Sequence, residues 1–409
     1  MNFLSWTVAA FVFVFFLLAR YFVTPEHRGR LMTAGAILFI LLQDPPHPLL
    51  RIAFLAVTFA MLAIGWAAGN FLGRQTDKTN KFPFAFIVAL LLAPLLIFKL
   101  IQAVVPTQLL NIVFATRGNI DIGSLAPLGI SYFTFRSLAY LIEIRRGTLQ
   151  PAAFGSYLNY VAFWPTFMAG PIERPQAFFS QLGQEKPLDA ADLREGVFRI
   201  LEGLFKKLVL GGILYHFTKP FLLLQGASIH RLNEWQAWQL WCCLIAYYLY
   251  LYCDFAGYSD IAIGVSRLFG YKIMENFRWP LLATNVADYW RRWHISLTGW
   301  IQDYVYIPLG GNRRGMRRAS WNSIVAMVLV GIWHGLSMHY VLFGIYHGML
   351  LNLYRNYRKH WRKGPPSTNK AARFAAWLGT FIVIDLGFVL FLFKPRLALE
   401  IYLRLFMLH

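Results

Sequence analysis

The sequence predicts an all-α polytopic membrane protein of about 10–12 transmembrane helices, because a helix crosses a bilayer with roughly 20 apolar residues and such stretches recur along the chain. Two observations carry this reading. Of 409 residues, 57% are apolar and 14% charged, where a soluble domain carries about 25% charge; mean hydropathy is +0.48. The apolar residues also gather into runs: Phe3 to Ala19, Ile52 to Leu72, Phe82 to Val105, Trp235 to Cys253, Ile324 to Met338, Tyr340 to Tyr354 and Phe374 to Phe393.

The first run has no basic residue ahead of it, and Arg20 follows without a small-residue cleavage site. It is predicted to be a retained span and not a signal peptide. The second and third runs are ordinary spans, separated by turns marked with proline at Asp44-Pro45-Pro46 and Lys81-Phe82-Pro83. From about Pro127 the pattern changes: APLGISYFTFRSLAYLIEIRRG, FWPTFMAGPIERPQAFF and the segment from Asp254 to Gly335 are broken by Gly, Pro and charge. Non-helical backbone survives at membrane depth only when buried in protein or lining a water-filled cavity. This middle region is therefore expected to hold re-entrant or tilted helices around an internal cavity. Residues Gln184 to Glu195 form the most soluble-looking stretch, expected to be a surface loop leading into an interfacial helix with Lys206 and Lys207.

A formal net charge of +20 could point to nucleic acid, but that reading needs the basic residues on one soluble face. Here they lie in short connectors: Arg20, Arg28 and Arg30; Arg74, Lys78 and Lys81; Arg313, Arg314, Arg317 and Arg318; and a further group from Arg355 to Arg373. The intervening connectors, Gln43 to Leu50 and Pro106 to Pro127, carry almost none. Positive-inside asymmetry places the basic loops in the cytoplasm and the N-terminus outside it. The charge thus predicts topology and contact with anionic lipid headgroups, with no nucleic-acid partner.

Ionisable residues at bilayer depth cost several kcal/mol and are functional candidates by default. His334 stands in LVGIWHGLSMHY at the outward end of a span. A lone histidine in an apolar helix is usually a packing residue, but His294 lies earlier in DYWRRWHISLTGW, crowded by arginine, aspartate and tryptophan. The bland reading of that stretch is an interfacial helix with an aromatic belt and snorkelling arginines. The functional one is a helix that dips inward and delivers an imidazole, whose ordinary pKa near 6.5 suits it to take and return a proton. His347, in GIYHGML, is the best of the remaining histidines as a helper or gate; His216, His230 and His339 have little support. Tyr258-Ser259-Asp260 sets a hydroxyl beside a carboxylate without a neighbouring base, and reads as a helix-start cap or polar packing contact. No G-x-S-x-G, H-E-x-x-H or P-loop pattern occurs. Cys242, Cys243 and Cys253 lie in one apolar helix without metal-ligand spacing and are expected to be packing residues; no metal site is predicted.

The blocks PLGISYFTF, FWPTFMAGPIERP, YCDFAGYSDIAIGVSRLFGY, ENFRWPLLATNVADYWRRWHISLTGWIQDYVYIPLGG and GIWHG occur in this order, and with them the chain resembles the bacterial membrane-bound O-acyltransferases from about Pro127 to Gly348. The resemblance implies one integral membrane domain over residues 1–409, with N-terminal helices to 126, the family core over 127–348 and C-terminal helices over 349–409. It implies a ring of tilted helices around a central channel where acyl donor and acceptor meet from opposite sides. The family's catalytic histidine falls on His334 and its second position on His294. Trp290, Arg291, Trp293, Asp303, Tyr258, Ser259, Trp333 and His347 are expected along the substrate channel.

The activity implied is transfer of an acyl group, acetyl in the first reading, from a cytoplasmic thioester to a hydroxyl of a cell-surface or secreted polysaccharide. YIPLGGN, WRRWHISL and AGPIERP resemble the alginate-acetylating branch; the chain length resembles the branch that transfers D-alanine to teichoic acid. No bound cofactor is implied. The donor, acetyl-coenzyme A or an acyl carrier protein, is a co-substrate, and an extracytoplasmic acyltransferase is an expected partner in a bacterial inner membrane. A transporter or flippase that binds its cargo with the same intramembrane charges is the alternative from another class.

Overall fold

The computed structural model describes residues 6–42, 48–75, 81–105, 126–184, 188–226, 229–361 and 368–407. The predicted connectors around 43–47 and 106–125, Lys78 and the basic residues at 362 and 363 lie outside the described residues, as does the His230 side chain. Among the described residues the regular structure is entirely helical. Two compact units form, one of Met1–Ile200 with Ile261–Met274, the other of Leu201–Asp260 with Glu275–His409.

The first unit carries α1 (Trp6–Leu17), α2 (Arg28–Leu41), α3 (Pro48–Arg74), α4 (Phe82–Val104), α5 (Ile130–Arg146), α6 (Phe154–Val161), α7 (Pro175–Phe179) and the start of α8 (Ala190–Leu204). Helices α3 and α4 are long and apolar enough to cross a membrane. The latter turns Phe82, Phe86, Ile97 and Leu100 outward, an apolar surface with no place in water and a natural one against lipid. Helix α5 ends where Arg145 and Arg146 complement its C-terminal dipole and Gly147 takes φ +77°.

A buried cation, Arg136, organises the middle of this unit. Arg136, 1% exposed, donates to the carbonyls of Tyr160, Val161, Thr166 and Pro171. Tyr160 and Val161 close α6, where last-turn carbonyls have no helical N–H to take, and Thr166 and Pro171 lie in the FWPTFMAGP segment that follows; the guanidinium fork ties the helix end to that segment. Trp164 anchors the same segment among Phe11, Phe15 and Phe269. Glu173 closes it, accepting from the backbone N–H of Met274 at 2.6 Å and of Arg174 at 3.1 Å.

In the second unit α8 runs through a π-helical segment, Phe205–Leu210, into α9 (Gly211–Leu223). There follow α10 (Ala237–Leu268), α11 (Val286–Arg292), α12 (Ile295–Ile301), α13 (Met316–His334), α14 (Met338–His360), α15 (Lys370–Leu392) and α16 (Pro395–Leu405). Helices α10 and α15 are long and apolar enough to span. The runs expected at Ile324–Met338 and Tyr340–Tyr354 fall in α13 and α14, joined by Gly335–Ser337.

Three expectations change here. The span expected to end at Cys253 continues to Leu268, so Tyr258-Ser259-Asp260 lies inside α10 and caps nothing. The helix continues through these polar residues because partners await them: Lys206 pairs with Asp260 at 2.7 Å and Glu202 at 2.6 Å, and Lys207 with Asp254. The π-helical segment places both lysines against α10, where Gly257 allows contact so close that a Cβ there would stand 2.7 Å from the Gly203 carbonyl. Of the three cysteines only Cys253 is buried; Cys242 is exposed.

Replacing Arg136 by Leu strands several buried carbonyl oxygens, each costing about 1–3 kcal/mol. Arg136→Leu is expected to lower the melting temperature of the detergent-solubilised protein by roughly 6 °C or more, read by a thermal shift or size-exclusion melt; an unchanged melt would refute this role.

Candidate active site

Helix α13 ends at His334 because Gly335 leaves the helix in an extended conformation. The hairpin with α14 is tight at Gly344, where a Cβ would stand 2.5 Å from both the Met327 carbonyl and the Val328 Cα; small residues of this kind let membrane helices approach backbone to backbone. The His334 imidazole is half-buried. It stands edge-on to Phe391 with ring centres 4.9 Å apart, 6.1 Å from Tyr340 and 4.7 Å from Trp333.

His294 occupies the corner between α11 and α12. Asn285 starts α11 by accepting the Asp288 N–H at 2.8 Å, and Asp288 bonds Arg292 one turn on at 2.9 Å. The chain then turns back beside residues 276–278, with Arg278 N–H bonding the Arg292 carbonyl and Ile295 N–H bonding the Asn276 carbonyl, both at 2.9 Å. His294 makes this corner at φ +45°, ψ +51°, a left-handed conformation costing a non-glycine residue about 1–3 kcal/mol and typical of functional sites. Its carbonyl accepts the N–H groups of Leu297 and Thr298, which starts α12.

The His294 ring is 2% exposed. Phe255 meets it edge-on at 4.7 Å and Trp333 at 5.7 Å. Trp333 thus contacts both imidazoles, and the two histidines lie within electrostatic reach of each other. His294 Nδ1 stands 3.1 Å from Asn276 Oδ1, while Nε2 is buried with no hydrogen-bond partner among the described residues.

A cavity of about 410 Å³ adjoins this cluster, walled by Ile295 next to His294, by Val330 one turn before His334, and by Trp290, Arg291 and Thr298. Tyr306, Asn312 and Arg355 line it too. Arg355 donates to Ser323 Oγ at 2.7 Å and Asn352 Oδ1 at 2.9 Å, with the Tyr306 hydroxyl at 3.4 Å. All three partners are neutral. A larger cavity of about 650 Å³ is lined by Asn285, Tyr354, Arg358 and Arg373, and neither imidazole lines either cavity directly. Among the described residues no three His, Cys, Asp or Glu side chains gather as metal ligands.

The other residues predicted for the channel divide. Trp290 and Arg291 line the 410 Å³ cavity, and His347, 1% exposed, backs Trp290 with ring centres 5.1 Å apart. Ser259 connects to His294 through Asn276, whose Nδ2 donates to its hydroxyl at 3.1 Å. Trp293 instead turns into an aromatic core with Tyr289, Phe277 and Phe388. Asp303 sits in the π-helical segment Gln302–Tyr306, where its neighbour Gln302 faces the cavity. Tyr258 is buried in α10. Sequence reasoning missed Asn276, Phe255, Phe391 and Arg355. Only Arg355 carried a signal, as the first cation of its basic group.

A family model described as MBOAT, membrane-bound O-acyltransferase family, matches residues 137–393. The probable alginate O-acetylase AlgI of Pseudomonas aeruginosa is 34% identical over 269 residues, covering 65% of this chain and 49% of that protein. The peptidoglycan O-acetyltransferase of Helicobacter pylori is 32% identical over 294 residues, covering 65% of this chain and 54% of its own. For the teichoic acid D-alanyltransferase of Bacillus subtilis the identity is 32% over 282 residues, with 66% and 69% covered. The chain spans about half the length of the AlgI and peptidoglycan relatives. With the family model matching most of a helical, multi-pass membrane chain, this protein belongs to the membrane-bound O-acyltransferase family.

Proposed function

We propose that this protein is a membrane O-acyltransferase that moves an acyl group, acetyl in the first reading, from a cytoplasmic thioester toward a hydroxyl of a cell-surface or secreted polysaccharide. The observation that carries the proposal is the contact of His294 and His334 with one tryptophan, Trp333, next to residues that wall a 410 Å³ cavity. His334 is the catalytic base. Its ring nitrogen takes the hydroxyl proton as the oxygen attacks the thioester carbonyl; the C–O bond forms, the C–S bond breaks, and the proton passes to the thiolate. His294 orients the hydroxyl or shuttles the proton, and Trp290 and Trp333 exclude the water that would hydrolyse the thioester.

Arg355 at the cavity offers a cation to the acidic donor, acetyl-coenzyme A or an acyl carrier protein, which is a co-substrate and not a bound cofactor. The relatives acting on alginate and peptidoglycan favour an acetyl group, and the D-alanyltransferase keeps D-alanyl transfer to teichoic acid as the second reading. The basic connectors favour a bacterial cytoplasmic membrane with the N-terminus outside, and an extracytoplasmic partner enzyme receives or delivers the acyl group.

Purified protein in nanodiscs, given radiolabelled acetyl-coenzyme A or D-alanyl-loaded carrier protein, is expected to turn over one donor only. His334→Ala should lower that rate at least ~100-fold, the least a general base contributes, with an unchanged melting curve; a folded, active variant would sink the assignment. Arg355→Ile is expected to raise the KM for the donor about tenfold, as loss of one charge-assisted contact would, with kcat largely kept; a fall in kcat alone would remove Arg355 from donor binding.

A further inference from the structure

Asn276 is fully buried, and every polar atom of its side chain is engaged. Its Oδ1 receives the Ser296 backbone N–H at 3.3 Å and the Ser296 hydroxyl at 2.9 Å, while Nδ2 donates to Ser259 Oγ at 3.1 Å. A backbone N–H can only donate, so the atom facing it is the amide oxygen and the orientation of the amide is settled. The third neighbour of that oxygen is His294 Nδ1 at 3.1 Å. An amide oxygen has no hydrogen to give, so Nδ1 must carry the proton of the ring. In a neutral imidazole Nε2 is then the bare nitrogen. It is also the atom left buried without a hydrogen-bond partner among the described residues, on a ring that touches Trp333.

We propose that Asn276 is the positioning residue of this site, holding His294 in its Nδ1–H tautomer so that Nε2 presents a lone pair and His294 can serve as the shuttle, taking up in relay the proton that His334 removes from the attacking hydroxyl before it reaches the thiolate. This rests on the acyltransferase reading above. The opposite tautomer would present an N–H, which has no lone pair to take up the relayed proton. Asparagine fits the post better than aspartate, because its amide also donates to Ser259 and brings no charge into a fully buried place. The same residue holds the backbone, its carbonyl accepting the Ile295 N–H at 2.9 Å, so one side chain and its own main chain hold both the ring and the left-handed corner that aims it.

The test is nitrogen NMR of full-length protein labelled with 15N-histidine in nanodiscs, the His294 signals being those lost in His294→Ala, combined with acyl-transfer kinetics. In the wild-type protein His294 is expected to show a protonated Nδ1 and a bare Nε2. Asn276→Leu, of similar volume with no acceptor, should shift the ring toward the Nε2–H form and lower kcat at least ~100-fold with little change in donor KM. Asn276→Asp keeps the acceptor, so it should keep the tautomer and restore much of the rate, with the acid limb of the pH–rate profile moved by the added carboxylate. A proton on Nε2 of wild-type His294 would overturn the proposal, as would a folded Asn276→Leu variant with unchanged tautomer and rate. The tautomer is read without turnover, so a wild-type protein that transfers no acyl group would count against the acyltransferase reading alone. If Asn276→Leu does not fold, the wild-type tautomer and the Asn276→Asp profile decide.

Discussion

A polar group carried into an apolar helix bundle must be satisfied by the chain itself, since neither lipid nor a dry interior offers a partner. Arg136 meets this constraint with four carbonyls, two at the end of α6 and two in the irregular segment that follows it. The charge and the irregular backbone each need the other. Lys206 meets it with two carboxylates, Glu202 one turn away on its own helix and Asp260 on α10. Such partly buried pairs stabilise little in net terms, because desolvation offsets much of the attraction, but removing one partner strands a charge at a cost. They therefore select one register of the helices over its neighbours.

The same logic at smaller scale builds the candidate site. The α13–α14 hairpin closes through glycine, which brings the two backbones together and fixes where α13 stops. His334 sits at that stop, walled by Phe391, Tyr340 and Trp333. His294 comes from a different element, a left-handed corner held by hydrogen bonds to residues 276–278. Two imidazoles from separate parts of the chain meet at one tryptophan because aromatic rings fill the space around them.

Much of this was legible in the residues. Apolar runs marked the spans, and His334 and His294 stood out because an imidazole among Val, Leu and Trp needs a reason. Asn276 could not be seen, because its contact arises from a chain reversal, and an amide in a polar stretch such as ENFRWP carries no anomaly. Of the two readings of Tyr258-Ser259-Asp260, the polar packing contact stands and the helix-start cap failed for a related cause. Polarity was taken as the end of an apolar helix, whereas the partners that let α10 continue, Lys206 and Asn276, lie far away in sequence. Asp385 in α15 is the reverse case: a carboxylate in an apolar span, passed over in the sequence, is 1% exposed with neither oxygen hydrogen-bonded among the described residues.

The way His294 is held also bears on the choice between transfer and transport. A protein that moves its substrate through a polar site needs groups that exchange partners as the cargo passes, which favours mobile side chains and loosely held backbone. The surroundings of His294 run the other way. Its ring is fixed at Nδ1 and wedged between Phe255 and Trp333, and its strained corner is held at Asn276 and Arg278. Holding an imidazole this firmly has a cost in entropy and strain that binding alone does not require. It suits a reaction in which the acceptor nitrogen has to be in place before the proton moves, since a preorganised dipole needs no reorganisation at the transition state. The rigidity of this corner therefore supports chemistry at the site more than passage through it.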